Sequence, residues 1–136
     1  MSDKAGAILD DLRNTLDATG AFASVSIGAG MSNRFPRAEL AFKAVEPVDK
    51  DESPDLRRLR VGLTIYAHCA SLEAIGLVLS LGETARLTLA QDVFRGGLCR
   101  HLSSGAATEF GPLLLDGPCR PPLVALTTEI RCHFEE

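Results

Sequence analysis

From Arg57 to Ala67 the chain alternates without a break: Leu59, Val61, Leu63, Ile65 and Ala67 stand against Arg58, Arg60, Thr64 and Tyr66. Successive strand side chains point to opposite faces of a sheet. The run therefore reads as a central strand, apolar on one side and polar on the other, that needs a hydrophobic layer over one face only. A second such run lies just before it. Arg37 to Val45 sets Ala38, Leu40, Phe42 and Ala44 on one face and Arg37, Glu39 and Lys43 on the other, which makes the pair a hairpin. The third long run, from Val124, opposes Val124, Leu126, Thr128, Ile130, Cys132 and Phe134 to Ala125, Thr127, Glu129, Arg131 and His133. Ala21 to Ile27 reads as a short half-buried strand, and Leu98 to Leu102 and Phe110 to Leu115 as short strands near the end.

The covering layer is supplied by helices. Ala5, Ile8, Leu9, Leu12 and Leu16 recur at three- and four-residue steps, with Ser2 placed as N-cap and Gly20 where a left-handed C-terminal cap is wanted. A second helix is expected from a Ser71 cap to about Asp92, with Leu72, Ile75, Val78, Leu79, Ala85, Leu89 and Val93 close to one stripe. Gly76 and Gly82 within it imply either close packing on the sheet or a kink near Gly82. The expectation is one α+β domain over 1–136, with a mostly antiparallel sheet, two helices packed on one face, and a long hairpin loop.

That loop is the segment 46–56. Glu46 to Asp55 holds two prolines and five carboxylates with almost nothing apolar, so it is expected to be mobile and solvated. The opposite sheet face, with Arg37, Glu39, Arg58, Arg60, Thr64, Tyr66, Glu129 and Arg131, is left to water or a partner.

Composition narrows the function classes. A net charge of −4 argues against non-specific nucleic-acid binding, which depends on Lys and Arg neutralising phosphates. The longest apolar stretch, Ala67 to Leu81, is interrupted by polar residues and too short to span a bilayer, so no membrane association is expected. The amino terminus lacks the basic and apolar regions of a signal peptide, so secretion is not expected either. Cys69, Cys99, Cys119 and Cys132 form no C-x-x-C pair and read as reduced, buried thiols.

No motif for catalysis or ligand binding is complete in the sequence. Asp49 to Asp55 imitates the start of a calcium-binding EF loop, but Pro54 stands where the sharp turn needs glycine and Arg60 where a bidentate glutamate belongs. His68-Cys69, Cys99-x-His101 and Cys132-His133 bring thiols near imidazoles, yet strand alternation sends His133 away from Cys132, leaving only Cys99 and His101 able to share a face. Gly28-x-Gly30-x-x-Asn33 lacks the third glycine and the following helix of a dinucleotide loop. Glu129, Arg131 and His133 could assemble scattered chemistry on the outer face, but alternating charges on a strand more often serve solvation. No catalytic residue, metal or cofactor is expected. The one sizeable positive feature is Arg57, Arg58 and Arg60, beside Arg34 and Arg37. It reads either as a dock for a carboxylate-rich partner, such as the acidic tip Asp49, Asp51, Glu52 and Asp55 of an identical subunit, or as pairing with Glu39 across the hairpin.

The order of elements resembles that of the tail terminator, or tail completion, proteins of long-tailed bacteriophages. The resemblance lies in the opening helix ILDDLRNTL, the hairpin PRAELAFKAV and RRLRVGLTIYA with its charged tip, the helix beginning ASLEAIGLVL, the glycine turn in VFRGGLCRHL, and the closing strand LVALTTEIRCHF. It spans Ile8 to Phe134. It implies a non-enzymatic virion protein that forms a ring, typically a hexamer, which caps the tail tube protein's polymer and meets the head connector protein. The implied location is the cytoplasm of the bacterial host and then the tail of the virion. The alternative is a small enzyme or ligand-binding domain with a pocket between sheet and helices. A third reading is an adaptor that binds an unlike partner through the open face or an edge strand.

Overall fold

The computed structural model describes residues 3–28, 34–49, 53–68, 72–104, 109–111 and 123–135. Along the chain the elements are α1 (Asp3–Ala18), β1 (Ser24–Ile27), β2 (Arg37–Asp49), β3 (Ser53–His68), α2 (Leu72–Ala90), a 3-10 turn (Arg95–Gly97), β4 (His101–Ser104), β5 (Glu109–Gly111) and β6 (Leu123–Glu135). The α+β class, the mostly antiparallel sheet and the two helices on one face are as the periodicities require.

The sheet has the order β1-β2-β3-β6-β4, with β5 also on β6. Only β1 with β2 is parallel. β4 pairs with β6 from His133 to Ile130 and β5 from Thr127 to Ala125, so the two short strands occupy one edge in succession. β3 and β6 stay in register from Leu56↔Glu135 to His68↔Leu123. This long antiparallel pair is the spine of the molecule, and β3 alone spans about 50 Å at the usual rise per residue.

The inward faces of β3 and β6 meet α1 and α2 in one core. Ile8, Leu12 and Leu16 of α1, Val78, Ala85 and Leu89 of α2, and Leu59, Val61, Leu63, Ile65, Ile130 and Phe134 of the sheet are buried within it. Gly20, at φ 72°, donates its N–H to Asp17 O and ends α1 in the left-handed cap its position implied. The expected caps Ser2 and Ser71 lie outside the described residues. At Gly82 close packing is the answer: a Cβ there would fall 2.9 Å from Leu126 Cδ2, and α2 runs unbroken through the position.

Three expectations need correction. The hairpin loop is far shorter than 46–56, because β2 continues to Asp49 and β3 begins at Ser53, with Glu46↔Arg58, Pro47↔Arg57 and Asp49↔Ser53 paired. Opposite charges facing across the ladder stabilise strand where low hydrophobicity alone implied loop. Lys50, Asp51 and Glu52 lie outside the described residues.

Secondly, β2 does not keep one alternation. A bulge between Phe42 and Ala44 leaves Lys43 unmatched, so Ala44 pairs with outward Arg60 while Val45 pairs with inward Leu59. Thirdly, the buried stripe of α2 is Ala74, Val78, Leu81, Ala85 and Leu89, whereas Leu72 and Leu79, assigned to it by spacing, are 87% and 48% exposed. The helix is apolar almost all round, so period alone does not select its inner face.

β5 covers Glu109–Gly111, and the rest of the strand expected over Phe110 to Leu115 lies outside the described residues. No helix among those described is long and apolar enough to cross a membrane.

Candidate functional site

With both helices on one side, the opposite face of β2, β3 and β6 presents the even-numbered residues of β3 and the odd-numbered ones of β6. Glu129 lies at its centre. It is only 7% exposed and is held by Arg60 (Nη2 at 2.9 Å) and Arg131 (Nε at 2.7 Å). The residue paired with it on β3 is Gly62, over which Lys43 lies, since a Cβ there would be 2.8 Å from Lys43 Cε. The hydrogen bond from Arg131, with that from Arg60, keeps the Glu129 carboxyl below its ordinary pKa against the opposing effect of burial. An ionised, paired carboxylate is the form that such a site can hold.

The network continues toward the hairpin tip. Glu46 accepts from Arg58 at 3.3 Å and lies 3.9 Å from Arg60, and Arg58 Nε donates to His133 Nε2 at 3.3 Å. His133 stacks on His101 of the neighbouring strand, with centroids 6.3 Å apart. At the other end, the Arg37 guanidinium lies 5.2 Å from the Phe35 ring and 4.8 Å from the Tyr66 ring and pairs with Glu39 at 3.6 Å. Burial, then the Glu39 charge, raises the Tyr66 pKa. The face thus carries Arg37, Lys43, Arg58, Arg60 and Arg131 against Glu39, Glu46 and Glu129, a positive surplus in a chain of net charge −4.

Of the residues singled out from sequence, Arg58 and Arg60 come together on this face. Their carboxylate partners are Glu46 and Glu129 and not Glu39, which is committed to Arg37. Arg57, of opposite parity, donates to Leu56 O at 3.3 Å. Asp55 is exposed, Asp49 ends β2, and Asp51 and Glu52 lie outside the described residues. The acidic, proline-bearing sequence around Glu46 argues for loop and conceals its place opposite Arg58.

Cys132 and His133 separate as alternation requires, Cys99 and His101 separate as well, and Cys69 and Cys119 lie outside the described residues. Cys99 and Cys132 are both buried and share a hydrogen bond that lowers the Cys99 pKa and raises that of Cys132. His101 points to the outer face, so Cys99 and His101 do not share a side. Cys99 precedes β4, in a turn where its N–H reaches Phe94 O at 3.0 Å, and strand alternation does not govern it. Among the described residues no three His, Cys, Asp or Glu side chains converge as metal ligands would.

A second feature is a cleft of about 260 Å³ between α2 and the β6–β4 side of the sheet, walled by Leu63, Leu79, Leu89, Leu126 and Ile130. Glu83 and Arg86, Ser104 and Thr128 supply its polar lining, with Gly82 close against Leu126 in its wall.

The His133 environment gives a pH prediction. Burial first, then the charges of Arg58, His101 and Arg131, push its pKa below the ordinary 6.5. The unfolded chain takes up this proton near pH 6.5, while the folded chain refuses it until lower pH, so stability is full above that value and declines as pH falls through the folded pKa. Thermal melts from pH 7.5 to 5 are expected to show this decline, and His133→Gln to flatten it.

No protein-family model matches this chain, and no curated protein matches it closely enough to count as a relative.

Proposed function

We propose that this chain is a structural subunit that assembles into a ring, typically a hexamer, capping the tail tube of a long-tailed phage and joining it to the head connector. On this reading it is not an enzyme. It is made in the cytoplasm of the bacterial host and ends in the virion tail.

The observation that carries the reading is the β2–β3 arm. β6 stops at Glu135 opposite Leu56, so beyond that point the hairpin has no third strand among the described residues. The part past it is short, Ser53–Asp55 of β3 with the facing end of β2, and its free edge is open to a neighbour. Its tip is acidic while the open sheet face is basic, which gives identical copies a complementary pair of surfaces.

Arg58 and Arg60 are unsuitable probes of such docking, because reversing them would break their own pairs with Glu46 and Glu129. Reversing the tip avoids that. Asp51→Lys, Glu52→Lys and Asp55→Lys together are expected to leave the melting temperature nearly unchanged and to shift light scattering toward smaller species, most strongly at low salt. Negative-stain images of the wild-type protein should show closed rings with a central hole, alone or on the ends of tail tubes. Absence of rings in both settings would end the reading, and rings unaffected by tip reversal would remove the tip contact.

A ligand-binding domain is the second reading, favoured by the cleft beside α2. A thermal-shift screen of small apolar carboxylates and amines would reveal it as a saturable rise in melting temperature.

A further inference from the structure

The core uses only one side of α2. Its inner stripe lies on the sheet, yet the side turned away is not the charged surface that a one-sided helix presents. A helix that is apolar all round is ordinarily covered all round. Opposite the buried stripe runs a seam of Leu72, Gly76, Ser80, Glu83, Leu87 and Ala90, spaced by three and four residues and exposed throughout. Leu72 and Leu87 keep 87% and 51% of their surface in water. Gly76 is the sharper sign. Glycine weakens a helix interior, and Gly82 has a reason within the chain, its contact with Leu126, whereas a Cβ at Gly76 would meet nothing within 4 Å.

We propose that this seam pairs with the same seam of a second copy, the two α2 helices running antiparallel about a two-fold axis at the level of Leu81 and Gly82. The order of sizes selects this occupant. From Leu72 onward the seam runs large, small, small, large, large, small, and reversing that order gives its complement at every position. An antiparallel copy therefore sets Leu72 against Ala90, Gly76 against Leu87 and Ser80 against Glu83, each contact occurring twice. That reciprocity is what a two-fold interface requires, and the leucine fills the gap over Gly76. A parallel copy would set like on like, with Glu83 facing Glu83. The Ser80 hydroxyl can donate to the Glu83 carboxylate, which keeps its own Arg86, since a carboxylate accepts several hydrogen bonds. An anionic membrane fits this face less well, because Arg86 is the only cation of α2 against Glu73 and Glu83. One helix pair is a small interface, below the roughly 1,200 Å² of stable complexes, so the pairing is expected at high protein concentration. It does not rest on the ring reading, since a two-fold contact joins single chains or whole rings alike.

The test exchanges the sizes in the full chain. Gly76→Leu and Leu87→Ala are both surface changes, and both should melt close to the wild type, the first because open space surrounds it. In sedimentation velocity at hundreds of micromolar the wild-type protein is expected to associate, and each variant alone to do so about tenfold more weakly. Gly76→Leu sets leucine on leucine at both of its contacts, and Leu87→Ala leaves both gaps unfilled. Mixed in equal amounts, the two should recover association close to that of the wild type, because each contact of the mixed pair again has one large and one small side chain. Either variant associating as strongly as the wild type, or a mixture no stronger than its parts, would overturn the pairing. A wild-type protein monomeric at those concentrations would overturn it too, and leave the seam to an unlike partner. The ring reading is separable: a wild type that stops at the two-fold dimer keeps the pairing and counts against the ring, whereas closed rings whose mass Gly76→Leu leaves unchanged do the reverse.

Discussion

Arg95→Ala is expected to cost about 3 kcal/mol of folding stability and to lower the melting temperature by roughly 10 °C. Arg95 is 6% exposed and its guanidinium is engaged at all three nitrogens. Nε reaches Asp11 Oδ2 at 2.7 Å, Nη2 reaches Thr15 Oγ1 at 2.6 Å, and Nη1 reaches the carbonyls of Asp92 at 3.0 Å and Leu89 at 3.4 Å. One side chain thus ties α1 to the end of α2. Removing it strands the Asp11 carboxylate and the last helical carbonyls, a larger loss than the net worth of the pair. Asp11 remains partly solvated at 31%, which keeps the figure at the lower end for a broken buried pair. The backbone provides a control. Arg95 sits at φ +48°, a conformation costing L-residues about 1–2 kcal/mol, so Arg95→Gly should recover about 1 kcal/mol relative to alanine. Urea denaturation of the two variants measures both terms; equal midpoints would show that the backbone strain is not released.

Phe134→Ala should cost more, about 3–5 kcal/mol. Phe134 is fully buried and heads the large core side chains, although it stands near the carboxy-terminal end, where chains commonly fray. It is held there because β6 runs beside β3 to Glu135, and because Lys4 Nζ of α1 donates to Glu135 O. The cavity left by alanine would open at the junction of α1 with the sheet. Against a typical stability of about 5–15 kcal/mol, the variant would be near its unfolding threshold at 37 °C, whereas the exposed Phe42→Ser should fold as the wild type does. A small loss at Phe134, measured by urea midpoint, would mean that this end of β6 frays in solution.

These two residues also mark what could be read in advance. Phe134 was legible, because strict alternation over eleven residues leaves one solution for which side is buried. Arg95 was not. Its role depends on Asp11 and Thr15, some eighty positions away, and on a turn through two glycines that no periodic signal describes. The same division holds on the open face. Arg58, Arg60, Glu129 and Arg131 were assigned correctly to the side away from the helices, since that needs only parity. Their pairing is not legible, because the charge and proline content around Glu46 argue for loop and hide its position opposite Arg58. In α2 a surplus of leucine concealed the inner face, and only the packing against Leu126 and the rest of the sheet reveals which leucines are left outside.

The extra residue at Lys43 has a consequence for how β2 tolerates change. Up to Phe42 the strand is in phase with its role as a lid on the core, and from Ala44 onward it is in the opposite phase, which sends Glu46 out to Arg58 and Arg60. A single strand therefore serves two environments, and the frame shift between them is one residue long. Substitutions on either side should be judged by separate rules. Deleting Lys43 would run Phe42↔Val61 straight into Ala44↔Arg60, keeping Val45 on the helix side and Glu46 on the open face, so residue 43 is a position of the strand where a deletion leaves both halves facing as they do now.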